Sequence, residues 1–148
     1  MNKRDISIST AAVKHKLDKA DIIDDFLREN ENNMLDIPLK EYLDYLLYEK
    51  GLRVADVVRE SGLSKSYVHQ IFNGEKKPSR EKLLPITFGL HLDETETQRV
   101  LRLGGCNELS ARIKRDAIIL YCINKGYDIH KTDEELHDRG FPTVSPMD

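Results

Sequence analysis

From Pro38 onward this chain keeps repeating one pattern: apolar residues at helical spacing for two or three turns, a glycine or turn, then a residue able to cap the next helix. That pattern leaves little room for anything but short helices packed on one another. Pro38 suits a first helical position, and Leu39, Leu43, Leu46 and Leu47 form a stripe that ends at Gly51. Val54, Val57 and Val58 predict a short helix stopping at Ser61-Gly62. The next is predicted over Lys65–Asn73, opened by Ser64 and closed by Gly74. Ser79 is the expected cap of a helix through Leu83, Leu84, Ile86 and Phe88 to Gly89, after the turn Lys76-Lys77-Pro78. Asp93 and Glu96 form a capping box for a helix ending at Gly104-Gly105. Two more helices are expected, one over about 111–124 and one from a capping box at Thr132 and Glu135 to Gly140. No stretch reads as a strand, so the fold class is all-α.

The polar first third reads differently. Ile22, Ile23, Phe26 and Leu27 share one face of a predicted helix over about 20–29, and residues 2–17 are expected to lack fixed structure. The run from Glu29 to Asn33 reads as a loop. The organisation is therefore an arm over 1–36, a central helical domain over 37–105 and a C-terminal helical extension over 106–148. The arm is suited to dock on the body or on a second subunit.

Composition excludes several classes. The longest apolar run, Ala117 to Ile123, is far too short to span a bilayer. The charged start Met1-Asn2-Lys3-Arg4-Asp5 has no apolar segment after it and does not read as a signal peptide. Two cysteines, Cys106 and Cys122, make no disulfide framework and fit a reducing, cytoplasmic compartment. The five histidines (15, 69, 91, 130 and 137) show no ligand spacing, so no metal and no cofactor are expected. Neither a phosphate-binding G-x-x-x-x-G-K-[ST] nor a G-x-S-x-G occurs, and an enzyme is not expected.

A weak internal echo appears at an offset of 35 residues. It matches Arg80 with Arg115, Asp93 with Asp128, Thr97 with Thr132, Leu101 with Leu136, and Gly105 with Gly140. Either a pair of helices is repeated, or two capped amphipathic helices simply look alike.

The segment Arg53–Gly74 carries the sharpest signal. Two short helices joined by a glycine-containing turn, with Val57, Leu63, Val68 and Ile71 apolar, form a helix-turn-helix pattern. Gly62 is expected at positive φ, where a side chain would cost about 1 kcal/mol or more. The outward residues of the second helix are then nearly all polar and of types that suit base edges in a major groove. Although the chain is net −3, Ser64 to Lys82 holds five Lys or Arg against two Glu. Charge runs are usually solvated surface, but this one follows the helix that would read bases.

Leu52 to Ser79 resembles the DNA-binding domain of phage-repressor-type regulators, the Cro-like or XRE helix-turn-helix family. The match rests on Gly62-Leu63-Ser64 and on the run from Ile71 through Asn73-Gly74 to Pro78-Ser79. The resemblance implies a lambda-repressor-like five-helix domain over about 38–104. It implies base contacts from Lys65, Ser66, Tyr67, His69 and Gln70, and phosphate contacts from Ser64, Asn73, Lys76, Lys77 and Arg80. Two positions depart from the family. Val54 stands where a phosphate-binding Gln is common, and Val58 where a small Ala is usual. Arg80 could equally pair with Glu75 or Glu81, since a cation at a helix start opposes the dipole.

The expected function is sequence-specific regulation of transcription on double-stranded DNA, by a homodimer whose C-terminal helices are also open to a protein partner. The competing expectation is an adaptor or antitoxin-like protein that keeps the fold. Tyr42, Tyr45 and Tyr48 recur every three residues and read as mixed core and rim.

Overall fold

The computed structural model describes residues 9–30, 34 and 37–146. Among the described residues there are nine helices and no strand. The chain divides into two compact units, Met1–Ile37 and Pro38–Asp148.

The first unit holds α1 (Thr10–Asp18) and α2 (Ile23–Glu29), which pack on each other. The expectation that residues 2–17 lack fixed structure fails for Thr10–Leu17; residues 2–8 lie outside the described residues, as does 31–33 of the expected loop. The Ser9 hydroxyl caps α1 by accepting the Ala12 N–H at 3.1 Å, Ala11 and Ala12 favour helix, and Lys14 pairs with Asp18 one turn on. Helix α2 starts at Ile23 rather than near 20. It buries Phe26 but leaves Ile22, Ile23 and Leu27 exposed.

The second unit begins with α3 (Leu39–Lys50), α4 (Val54–Ser61), α5 (Lys65–Phe72), α6 (Arg80–Gly89) and α7 (Glu94–Leu103). Helix α6 is the hub. Every residue from Leu83 to Leu90 is buried, with α4 across one side and α7 packed beside it. Leu43 and Leu46 of α3, Val57 of α4 and Val68 of α5 are wholly buried, and Leu63 fills the angle between α4 and α5. Each such side chain contributes roughly 1.5–3 kcal/mol by leaving water. Tyr42 is buried and Tyr45 stacks on it at 6.2 Å, whereas Tyr48 is exposed, which is the mixed packing expected. Gly62 lies at φ +75°, so the turn between α4 and α5 uses the backbone region that suits glycine.

The extension forms α8 (Lys114–Asn124) and α9 (Ile129–Asp138), and it belongs to the same unit as α3–α7. The start of α9 differs from the reading at Thr132. Asp128 is the cap, accepting the Lys131 N–H at 2.8 Å, while Thr132 sits inside the helix and donates its hydroxyl to the Asp128 carbonyl. A carboxylate at the helix start gains from the dipole as well as from the bond. Asp93 does the same for α7, where the expected box with Glu96 is present.

The echo at offset 35 is structural. Asp93 and Asp128 are both caps, Thr97 and Thr132 are both buried, and Leu101 and Leu136 are both fully enclosed. Gly105 and Gly140 lie at φ +74° and +79°. So α6–α7 and α8–α9 share their cap, buried and glycine positions at that offset. The two pairs are tied crosswise at their first turns. Arg80 of α6 donates to the Asp116 carboxylate of α8 at 2.5 Å, and Arg115 of α8 forks onto the Glu81 carboxylate of α6 at 2.8 and 3.0 Å. Arg115 also donates to the Pro142 and Thr143 carbonyls, and Asp133 accepts the Val144 and Ser145 N–H groups. These bonds fold the tail back until the Pro146 ring lies beside Gly62, whose Cβ, if it had one, would be 3.5 Å from it.

Candidate nucleic-acid interface

Helix α5 is built from its cap outward. Ser64 accepts the Tyr67 N–H at 3.1 Å, which fixes the first turn. Val68, Ile71 and Phe72 then face inward and are buried. That leaves Lys65, Ser66, His69 and Asn73 exposed, with Tyr67 and Gln70 half-buried at the margin. All five residues expected to meet bases (Lys65, Ser66, Tyr67, His69 and Gln70) therefore lie along one helix whose opposite side is core.

Beyond α5 the chain turns sharply. The Glu75 and Lys76 N–H groups both point to the Gln70 carbonyl, at 2.8 and 3.3 Å, and Gly74 takes φ +78°. This holds Lys76 and Lys77 exposed beside the end of α5. Two further cations converge there. The stem of Lys40 runs over Gly74 while its ammonium pairs with Asp44 at 2.7 Å, and Lys82 places its ammonium 5.7 Å from the centre of the Tyr67 ring. Sequence reasoning had no local signal for Lys40, because its neighbourhood is made by tertiary packing of α3 on α5.

Among the described residues, no carboxylate lies within ion-pair distance of Lys65, Lys76, Lys77 or Lys82. Arg80 is the exception and corrects the expectation for it. Its guanidinium turns onto Asp116, which is 2% exposed, and so it is committed to holding α6 against α8. A buried carboxylate across the helix start relieves the dipole conflict that a phosphate was expected to relieve. Neither Glu75 nor Glu81 takes that part.

At the start of α4, Arg53 is widely exposed and its N–H donates to Asp56 at 2.8 Å. That backbone bond, with help from Arg59, holds the Asp56 carboxyl below the usual carboxylate range. A lowered folded-state value means stabilisation that is complete above the unfolded value near 4 and is lost as pH falls through the folded value. Urea midpoints measured through acid pH will therefore fall less steeply for Asp56→Asn than for the unaltered chain.

Of the two cysteines, Cys106 lies next to this face, its thiol 4.0 Å from the Pro78 carbonyl. Cys122 is buried, which pushes its thiol up, and Cys106 is half-buried. No group of three or more His, Cys, Asp or Glu among the described residues could hold a metal ion, and no helix there is long and apolar enough to cross a membrane.

Compared with known protein families, residues 27–100, half of the chain, match the helix-turn-helix domain. This chain belongs to the helix-turn-helix domain family. The matched region contains α3 to α6 and most of α7, so the family's region includes the whole face just described. Comparison with curated proteins and with solved structures gives no match. Residues 101–148 of this helix-turn-helix protein, with the α8–α9 pair, lie outside the family match.

Proposed function

We propose that this helix-turn-helix protein is a sequence-specific DNA-binding regulator of transcription, with no catalytic step of its own, that lays α5 in the major groove. The observation that carries this reading is the set of lysines at 65, 76, 77 and 82, free of carboxylate partners beside the polar face of α5, in a chain that is net −3. Cations left unpaired at one place in an acidic protein are matched to a polyanion. Lys65, Ser66, His69 and Gln70 would meet base edges, with Tyr67 against a thymine methyl. Ser64, Asn73, Lys76 and Lys77 would hold phosphates, joined by the widely exposed Arg53. One such helix reads few base pairs, so two copies on half-sites a helical turn apart supply the specificity.

The test is selection of the purified chain on a random duplex library at two salt concentrations. Enrichment of a paired site with half-sites about ten base pairs apart supports the regulator and the dimer together. Retention without enrichment leaves only charge-driven binding. Failure to bind at low salt rejects the proposal and favours the adaptor reading.

A further inference from the structure

The repeat leaves one surface of the second pair open. At the offset of 35, Ile86 and Gly89 of α6 correspond to Tyr121 and Asn124 of α8. Gly89 is where α4 comes close: a Cβ there would lie 3.2 Å from both the Val57 side chain and its carbonyl. On α6 that face is covered, with Ile86 at 0% exposure. On α8 it is not, with Tyr121 at 53% and Ile113 at 54%. Ile113, Ala117, Leu120 and Tyr121 follow helical spacing along it, and among the described residues of this unit no helix covers it as α4 covers the first pair, although the Asn124 amide donates to Glu94 of α7 at 2.9 Å.

The rim of this face is mainly basic, with the Glu94 carboxylate at its Asn124 end. Arg112, Lys114 and Lys125 are exposed and have no carboxylate partner among the described residues, and Lys125 lies over the Tyr121 ring at 5.5 Å. Two such faces would repel each other. The same chain carries a surface of the opposite kind. Helix α2 and the residue before it expose Ile22, Ile23 and Leu27, flanked by the exposed acids Asp21, Asp24 and Glu29, while Arg28 is paired with Asp25.

We propose that the apolar, basic-rimmed face of α8 receives the acidic amphipathic α2 of a second copy of this chain, so that two copies exchange N-terminal arms. Complementary charge selects α2 over a second α8, and apolar burial on both sides supplies the adhesion. The surface follows from α2 and α8 alone, and its test uses no DNA.

Sedimentation velocity of the full chain at micromolar concentration is expected to show a dimer. Tyr121→Asp and Ile23→Asp should each shift it to monomer with the helical circular dichroism unchanged, since both positions are exposed. Reversing the rim with Lys114→Glu and Lys125→Glu should weaken dimerisation about tenfold, and adding Asp21→Lys and Asp24→Lys in the same chain should restore it. Rescue by the second reversal supports the proposal even if an apolar-to-acid variant fails to fold. A wild-type chain that stays monomeric overturns it, and so does a dimer that neither pair of reversals moves. Loss of the dimer through α8 substitutions but not through α2 substitutions also overturns it, in favour of α8 pairing with itself.

Discussion

Asp116→Ala will lower the free energy of unfolding by about 3 kcal/mol, because it strands the Arg80 guanidinium in a site made for a carboxylate. Asp116 is nearly inaccessible, and it also accepts the Ser110 N–H at 3.0 Å, so one substitution removes an ion pair and a backbone hydrogen bond. Arg80 is a quarter exposed and can recover some hydration, which keeps the loss at the lower end of the range for broken buried pairs. Replacing both partners at once, with Arg80→Met and Asp116→Leu, should cost much less, since no charge is left behind. Urea denaturation of the three chains measures this. A single variant as stable as the parent would mean that the crosswise tie contributes nothing.

The second large effect concerns affinity. The triple variant Lys65→Ala, Lys76→Ala, Lys77→Ala removes three ammonium groups from the α5 face. With Lys76 and Lys77 each neutralising one phosphate and Lys65 on a base edge, the slope of log K against log salt will shrink in magnitude by about 1.8. Together with the lost base contact of Lys65, this corresponds at low salt to binding roughly a thousandfold weaker. Because all three side chains are exposed, the thermal midpoint should hardly move. Titration of a duplex at several salt concentrations tests this, and an unchanged slope would take Lys76 and Lys77 off the phosphates. Arg80→Met is the matched control: it should lower stability and leave the slope alone.

What could be seen in the sequence was what local physics decides. The Ser64 cap, the Asp93–Glu96 box and the positive φ of Gly62 follow from neighbouring residues, and all are present. Helix α1 was missed because its stability rests on a cap, two alanines and a one-turn ion pair rather than on an apolar stripe. The start of α9 was placed at Thr132 because both Thr132 and Asp128 can cap. Asp128 is the counterpart of Asp93 in the echo, which is the signal that could have decided it. Within the candidate interface, the α5 residues were legible from period and polarity. The partner of Arg80 was not, since it lies in another helix, and neither was the approach of Lys40 to Gly74. Contacts made by folding leave no mark on the spacing of residues.

The return of the tail to the turn beside Gly62 also bears on the order in which this molecule assembles. Its packing is helix on helix throughout, between neighbours in the chain or helices a few elements apart, a topology that folds fast. Pro146 and Gly62 are far apart in sequence, and closing that loop is worth its entropy only after α8 and α9 are seated. The tail contacts are therefore expected to form after the rate-limiting step. Weakening them, for instance by removing the Asp133 carboxylate, will accelerate unfolding while leaving the folding rate nearly untouched. The last segment to arrive thus governs how long the native state persists.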